Sequence, residues 1–335
     1  MTPAIGRVLV DCAGARMGGA LRFLTELDSY LADRPSADVE VVGRDRRVAP
    51  TWLARRETLG RHRRSVALNN VGFVATRGER WVLLRNLLHF LPPEEIAAIP
   101  GGLPPGTAQQ AQIIRACARR ADMVVVPTTT MAQRVLAVLP ELTSRLAVRP
   151  HPLSRAPAAA VRGQTGDRVD LLCPVLFAPF KAMGRLLRPV DRAAGLAARQ
   201  TGAEITVSVT ATASEAHAEG LAGCRHLRFV GRLTPTRLAE FQQSCHAIVY
   251  PTRIESFGYP LAEARLAGVW AIAADCPHNR EVAGPVLIAY QRDTPDDLAA
   301  AMVTALGAIP EQRAENPFDP VRYFDWLLDA RTAAT

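Results

Sequence analysis

The sequence predicts an α/β protein made of two consecutive domains, each built around a parallel sheet. Short β-branched runs alternate with longer amphipathic stretches, which is typical of βα repetition. The alternation stops between Pro150 and Asp167, where Pro, Ala, Arg and Gly replace any periodic pattern, and then restarts. A chain of 335 residues with 48% hydrophobic content can bury two cores. Two such domains imply two sheets facing a central cleft, where ligands meet the carboxyl ends of the strands.

The predicted boundaries follow the alternation. We expect a first domain over residues 1–152, a linker over 153–167, a second domain over 168–315 and a closing helix over 316–335. The first domain should contain a helix over Gly19–Asp33 and strands at Arg7–Val10, Val39–Val42, Ser65–Leu68, Trp81–Leu84, Met123–Val126 and Leu146–Val148. The second should contain strands at Asp170–Cys173, Glu204–Val209, Leu227–Val230, Ala247–Tyr250 and Trp270–Ala273. The last segment, with its aromatic residues, needs an apolar partner.

Composition narrows the class of protein. No segment approaches the roughly 18 apolar residues that a membrane span needs, so we expect a cytoplasmic protein that does not cross a membrane. The six cysteines show no Cys-x-x-Cys pairing and signal neither a zinc site nor a disulfide framework.

Charge is unevenly distributed. Residues 1–165 hold 23 arginines against 13 acids, a balance of +10, whereas residues 166–335 hold 17 cations against 19 acids, a balance of −2. The densest basic run is Arg55–Arg64. Such a run fits an anionic acceptor, a peripheral contact with an acidic membrane or a nucleic acid, and it fits a solvated surface equally well.

Lys181 is the single lysine among 40 cationic residues. Because a compact ammonium differs from the planar guanidinium used everywhere else in this chain, its retention indicates a site that requires a point charge.

The most informative segment is 250–268. Pro260 suits the first turn of a helix and Gly268 its end, so Glu255 falls on the preceding loop and Glu263 in the first turns. A helix N-terminus attracts phosphate, and carboxylates beside it can accept hydrogen bonds from hydroxyls. A ligand with phosphates for the helix N-terminus and hydroxyls for the carboxylates, such as a nucleotide sugar, suits this segment.

Several landmarks fall in one order along the second half. They are Phe229-Val230-Gly231-Arg232-Leu233, Val249-Tyr250-Pro251, Glu255-Ser256-Phe257-Gly258-Tyr259-Pro260, Glu263-Ala264, Ala267-Gly268, Ala274-Asp275-Cys276-Pro277 and Arg280-Glu281-Val282. From about Leu171 to Leu298 the chain resembles the retaining, GT-B-fold glycosyltransferases of the large family 4-like group, which includes bacterial mannosyltransferases and sucrose synthase-like enzymes. The resemblance implies two Rossmann-like parallel-sheet domains facing a cleft.

The resemblance also implies roles for residues of the second half. Glu263 would bind the ribose hydroxyls of the donor, Glu255 would face the donor sugar, and Lys181 would stabilise the leaving diphosphate. Backbone groups would serve the diphosphate at Ser256, Phe257 and Gly258, and the base at Gly231, Arg232 and Leu233. The chain departs from the family in one respect, since no cation precedes Lys181 in Pro174–Ala178. Either Arg185, Arg188 or an arginine of the first half compensates, or phosphate binding is weaker, or the protein has lost catalysis and only binds.

The first half matches less closely. Gly18 and Gly19 resemble the family's glycine loop, which lets the backbone approach the sugar phosphate. Asn86 stands at a strand end where relatives place an asparagine near the reacting sugars. His89 lies close by in the sequence, but a histidine in such an apolar segment is more often structural.

The resulting hypothesis is transfer of a sugar from a nucleoside-diphosphate sugar to an acceptor hydroxyl with retention at the anomeric carbon. The donor is a substrate, and we expect no cofactor and no metal, because the chain has no Asp-x-Asp triplet. The acceptor is expected to be a small molecule or an anionic one, and no nucleic acid partner is expected.

Two other classes of protein remain open. A Schiff base at Lys181, as in pyridoxal phosphate chemistry, would give a coloured protein that borohydride bleaches. A non-catalytic protein that binds nucleotide sugar or nucleic acid would bind without hydrolysing a donor.

Overall fold

The computed structural model describes residues 7–35, 37–60, 62–155, 167–307, 310 and 315–328. The chain divides into two compact units, the first formed by residues 1–95, 103–154 and 317–335 and the second by residues 96–102 and 155–316. Most of the linker predicted over 153–167 lies outside the described residues.

The first unit contains a six-stranded, fully parallel sheet in the order β2-β1-β3-β4-β5-β6. Its strands are β1 (Val8–Asp11), β2 (Val39–Val42), β3 (Arg64–Ala67), β4 (Glu79–Leu83), β5 (Met123–Val126) and β6 (Leu146–Val148). The helices that begin in this part of the chain are α1 (Gly18–Ala32), α2 (Pro50–Arg56), α3 (Pro93–Ala98), α4 (Thr107–Arg120) and α5 (Thr129–Val138).

The second unit contains another six-stranded parallel sheet, in the order β12-β11-β10-β7-β8-β9. Its strands are β7 (Arg168–Cys173), β8 (Glu204–Val209), β9 (Leu227–Phe229), β10 (Ala247–Tyr250), β11 (Trp270–Ala274) and β12 (Leu287–Tyr290). The remaining helices are α6 (Met183–Thr201), α7 (Ala213–Ala218), α8 (Pro235–Ser244), α9 (Tyr259–Ala267), α10 (Pro277–Ala283), α11 (Pro295–Leu306) and, in the first unit, α12 (Pro320–Leu328).

These sheets confirm the predicted α/β class, and every predicted strand is present with boundaries within two residues. One strand was missed. β12 is a short edge strand with three of its four residues half-buried or exposed, although its sequence Leu287-Ile288-Ala289-Tyr290 is as continuously apolar as those of the central strands.

Helix α12 completes the core of the first unit. Tyr323 and Phe324 pack edge-on against Phe23 of α1, with ring centroids 5.6 and 5.5 Å apart. Leu327 and Leu328 are buried in the same cluster as the residues of β1. The apolar partner that the aromatic segment requires is therefore the first unit.

In the second unit, the strand order reverses between β7 and β10. β7 continues to β8 and β9 on one side, whereas β10 continues to β11 and β12 on the other. Crossover connections leave a crevice at the carboxyl ends of the two strands where the order reverses, and ligands of open parallel sheets bind there. The corresponding position in the first unit lies between β1 and β3.

Candidate active site

Lys181 and Glu255 lie at the crevice of the second unit. After β7 the chain enters a 3₁₀ turn, Pro179–Lys181, and after β10 it runs through a loop that carries Glu255. The Nζ of Lys181 donates a hydrogen bond to Oε1 of Glu255, and the two side chains are 14% and 21% exposed. Two residues that lie 74 positions apart in the sequence are therefore paired at the position where a parallel sheet binds ligands.

The loop after Glu255 leads into α9 as the sequence predicted. Pro260 lies in the first turn, and Gly268 ends the helix in the left-handed conformation. Gly258 is the N-cap residue of the helix, with φ +76°. Because a left-handed backbone strains any residue with a side chain, glycine is required at this turn. In the first turn, the amides of Leu261 and Ala262 donate to the carbonyl of Gly258 at 3.0 and 3.4 Å, and the positive end of the helix dipole can attract an anion.

Ser256 and Phe257 lie on the same loop. The ring of Phe257 is buried and packs edge-on against Tyr259, with centroids 5.1 Å apart. Its side chain is thus part of the core, whereas Ser256 is half-buried. Glu263 follows on α9 and is half-buried.

The predicted base segment lies at the carboxyl end of β9. Gly231 has φ +74°, and its amide donates to the carbonyl of Ala211 at 2.9 Å. Arg232 is exposed and donates to Glu215 Oε1 at 2.6 Å, while Leu233 is half-buried. The side chain of Arg232 is committed to a surface ion pair, so this segment offers a ligand mainly its backbone.

Of the two second-unit arginines considered as substitutes for the family's missing cation, one is committed elsewhere. Arg188 donates to the backbone carbonyls of Glu219 and Gly220, at 3.1 and 3.3 Å. Arg185 is exposed in the first turn of α6, four residues after Lys181. Of the two, Arg185 is the better placed to substitute for the family's missing cation.

Two side chains near Glu255 were not predicted as site residues. Tyr250 is the last residue of β10, and burial together with the charge of the nearby Glu255 carboxylate raises the pKa of its hydroxyl well above the usual 10. His278 on α10 is buried near Glu255, and burial lowers the pKa of its imidazole below the usual 6.5 although the carboxylates of Glu255 and Glu281 act in the opposite direction. In the sequence, Tyr250 looks like one more apolar core residue at a strand end.

The predicted residues of the first unit lie at the carboxyl edge of its sheet. Gly18, with φ +56°, and Gly19 begin α1 and are exposed, and Arg85 donates to the Gly19 carbonyl at 2.8 Å. The amide oxygen of Asn86 accepts from the backbone of Leu88 at 3.1 Å, and its Nδ2 lies 3.4 Å from His89 Nε2. Asn86 therefore caps the 3₁₀ turn that follows, which occupies much of its hydrogen-bonding capacity.

The interpretation of Arg55–Arg64 as a solvent-facing basic run was wrong for two of its arginines. Arg56 is 1% exposed and donates to Asp11 Oδ2 at 2.5 Å. Arg64 is 6% exposed and donates to Glu79 at 2.7 Å and to the Leu327 carbonyl at 2.8 Å. These guanidinium groups are structural because they are buried and bonded to carboxylates and backbone carbonyls.

Within the described ranges, no group of three His, Cys, Asp or Glu residues is arranged to hold a metal ion. In the same part of the chain, no helix is both long and apolar enough to cross a membrane.

Comparison with known proteins gives a family match over part of the chain and a fold. Residues 177–308 match the family model described as glycosyl transferases group 1. The search of curated proteins found no match.

Solved structures match at low sequence identity. WaaG, a glycosyltransferase involved in lipopolysaccharide biosynthesis, superimposes with a TM-score of 0.62 at 12% identity, covering 97% of this chain and 96% of WaaG. A putative UDP-N-acetylglucosamine 2-epimerase from Listeria monocytogenes gives 0.60 at 12% identity, covering 97% and 95%. A mutant of S. aureus TarM in complex with fondaparinux, alpha-GlcNAc-glycerol and UDP gives 0.51 at 12% identity, covering 79% of this chain and 52% of TarM. The chain thus spans about half of TarM but nearly all of the other two.

The fold and the family match agree. The protein has the two-unit GT-B fold, and the part of its second unit that matches the glycosyl transferases group 1 model contains Lys181, Glu255 and Glu263. The expected resemblance to GT-B glycosyltransferases is confirmed for this region and for the fold.

Proposed function

We propose that this protein transfers a sugar from a nucleoside-diphosphate sugar to an acceptor hydroxyl, with retention of configuration at the anomeric carbon. The observation that supports the proposal most strongly is the pairing of Lys181 with Glu255 at the crevice between β7 and β10, inside the segment that matches the glycosyl transferases group 1.

The donor is held by three kinds of group. The positive dipole end at the N-terminus of α9 and the ammonium of Lys181 bind the diphosphate, because both present positive charge to it. Glu263 accepts hydrogen bonds from the ribose hydroxyls. The backbone at Gly231 contacts the base, which explains why Arg232 can be committed to Glu215.

The reaction breaks the bond between the anomeric carbon and the diphosphate oxygen and forms a bond to the acceptor oxygen on the same face. The electron pair of the broken bond remains on the diphosphate, and the acceptor proton passes to the departing phosphate oxygen. Lys181 stabilises the charge that develops on that oxygen, and Glu255 orients the sugar. No metal enters this scheme.

The fold by itself does not separate a transferase from a nucleotide-sugar epimerase, because structures of both kinds superimpose on the chain to a similar degree. The family match over residues 177–308 favours the transferase. Incubation with donor alone distinguishes them, since an epimerase changes the sugar without an acceptor.

Calorimetric titration with UDP, GDP, ADP and TDP tests the donor site. UDP comes first because the matched TarM structure contains it. We expect one of the four to bind tightly, Glu263→Ala to weaken that binding, and Lys181→Ala mainly to slow transfer. The anomeric configuration of the product, read by NMR, tests retention. Failure of all four nucleotides to bind would contradict the proposal.

We further propose that the first unit makes a peripheral contact with an anionic membrane. Met17, Leu21 and Val48 are 64%, 43% and 40% exposed. Met17 and Leu21 are four residues apart along α1, and Val48 follows the exposed Arg46 and Arg47 on a loop that packs against Gly14. Exposed apolar groups beside arginines suit the interface of an acidic bilayer.

Sedimentation with vesicles tests this contact. The wild-type protein should bind phosphatidylglycerol-containing vesicles in a salt-sensitive way, and a Met17→Glu, Leu21→Glu variant should not. Ile113→Glu, at a 54% exposed position on α4 of the same unit, is the matched control. Equal sedimentation of all three proteins would rule out this surface.

A further inference from the structure

The ammonium of Lys181 and the carboxylate of Glu255 form an ion pair that is largely shielded from solvent. Nζ of Lys181 donates to Oε1 of Glu255, and the two side chains are 14% and 21% exposed. Water and salt screen charges less at such a site than on an open surface. The positive charge that the crevice offers through Lys181 is therefore neutralised at close range by one carboxylate.

The turn that carries Lys181 is fixed by its backbone. The amide of Lys181 donates to the carbonyl of Ala178 at 2.9 Å, and the next residue, Ala182, has φ +47°. Because a left-handed backbone is unfavourable for alanine, the surrounding structure must impose it. The amide of Gly184, in the first turn of α6, donates to Oε2 of Glu219 at 2.8 Å. Lys181 thus projects from a turn that is held on both sides.

The loop that carries Glu255 is fixed as well. It follows β10, which pairs directly with β7, the strand that leads to Lys181. Shortly before Glu255, Arg253 donates to Asp293 Oδ2 at 2.8 Å. Lys181 and Glu255 therefore meet because both of their backbones are held at the crevice, so the pair is built into the fold of the second unit.

A neutralised ammonium attracts a diphosphate less than an isolated one does. The diphosphate must either displace the Glu255 carboxylate from Lys181 or bind beside it. An ammonium has more than one N–H, so both anions can share it, but the carboxylate and the phosphate then repel each other. In either arrangement, the charge of Glu255 weakens the binding of phosphate at Lys181.

A donor sugar changes this balance. Its hydroxyls can donate hydrogen bonds to the carboxylate of Glu255, and bonds to a charged acceptor are among the stronger ones. These bonds offset the loss of the contact between Glu255 and Lys181. A free nucleoside diphosphate brings no sugar hydroxyl to this carboxylate and meets only its repulsion.

We propose that Glu255 competes with the diphosphate for Lys181 and so disfavours retention of the free nucleoside diphosphate relative to the nucleotide sugar. This inference rests on the proposed function, which places the diphosphate at Lys181 and the sugar at Glu255. It gives Glu255 a second task, which is to favour release of the nucleotide product after transfer.

Glu255→Gln tests the competition, because it keeps the size and an acceptor oxygen of the side chain but removes its charge. UDP, GDP, ADP and TDP are titrated calorimetrically into the variant and the wild-type protein. The nucleoside diphosphate that binds should bind the variant roughly tenfold more tightly, since Lys181 remains and the repulsion is gone. The corresponding monophosphate should gain less, and the nucleoside should gain nothing, because the effect follows the charge of the ligand.

Glu240→Gln is the matched control. It removes the same charge from the same unit, but the ion pair of Glu240 with Arg237 is exposed, so nucleotide affinity should stay within about twofold of wild type. A thermal midpoint equal to that of wild type establishes that each variant is folded.

Unchanged or weaker binding of the nucleoside diphosphate by folded Glu255→Gln would overturn the competition while leaving the proposed function intact. An equal gain in Glu240→Gln would overturn it too, because the gain would then reflect net charge alone. If neither the wild-type protein nor Glu255→Gln binds any of the four nucleotides, the proposed function fails and the competition fails with it.

Discussion

Asp11 and Lys181 each lie at the carboxyl edge of the first strand of a parallel sheet, but their charges are satisfied differently. Asp11 is fully buried and accepts from Arg56, Trp52 and Asn69, at 2.5, 3.1 and 2.8 Å. It also accepts from the backbone of Ala13 at 3.0 Å. A carboxylate with this many donors has a structural task, because little capacity is left for a ligand. Lys181 is partly exposed and is paired with one carboxylate, which a ligand can replace.

Replacing Asp11 with asparagine should destabilise the first unit by about 3–5 kcal/mol, because the buried guanidinium of Arg56 then lacks its counter-charge. The free energy of unfolding measured in urea checks this. Arg237→Ala is the control, since the ion pair of Arg237 with Glu240 is exposed and should contribute at most about 1 kcal/mol. Similar small losses of stability in both variants would show that the hydrogen bonds to Asp11 do not stabilise the first unit to this extent.

At the same scale, the sequence indicated residue types but not their burial. The spacing of Glu255, Pro260, Glu263 and Gly268 was sufficient to predict a loop, a helix and its end. Nothing in the local pattern distinguished the buried Arg56 from its exposed neighbour Arg55, because the acids that neutralise an arginine come from distant positions.

Among the elements, α12 shows how much of a core can come from a distant segment. Its aromatic residues predicted an apolar partner, and the structure places them against α1 of the first unit. Edge strand β12 was missed although its short sequence is apolar throughout. Central strands could be predicted because they are buried on both faces and therefore continuously apolar.

Phe324→Ala should cost the first unit about 3–5 kcal/mol, since the ring is fully buried among Phe23, Tyr30 and Tyr323 and leaves a cavity. Thermal and urea unfolding measure the loss. Val321→Ala, at a 43% exposed position of the same helix, should change stability by a few tenths of a kcal/mol or less, roughly as for other surface sites. A Phe324 variant as stable as the Val321 variant would contradict the assignment of α12 to this core.

For the molecule as a whole, the two-domain class followed from the alternation of patterns, but the strand order did not. The reversal between β7 and β10 depends on pairing across more than 70 residues, which no local pattern encodes. That reversal brings Lys181 to Glu255. The residues of the site could therefore be predicted from the sequence, but their pairing in space could not.

Buried histidines in both units should make stability depend on pH. Burial lowers the pKa of His89 to about 4, and the pKa values of His151 and His278 also lie below 6.5. Between pH 6.5 and 4 the unfolded chain binds protons on these residues that the native protein does not, so stability falls as the pH falls. His89 alone should contribute about 3 kcal/mol over this interval.

Thermal unfolding at pH 7.5 and 5.5 checks this expectation, with a lower midpoint predicted at pH 5.5. His89→Gln should reduce the difference, because glutamine does not titrate. A midpoint that rises on acidification would show that these residues gain protons in the native protein.

The central claim is that Lys181 binds the donor diphosphate at the crevice of the second unit. Because Lys181 is the only lysine of the chain, an amine-reactive reagent can follow it alone by peptide mass spectrometry, with the α-amino group as internal reference. At a saturating concentration of the nucleoside diphosphate selected by calorimetry, labelling of Lys181 should slow at least about tenfold, and the corresponding nucleoside without phosphates should not protect it. An unchanged labelling rate in the presence of bound nucleoside diphosphate would contradict the account.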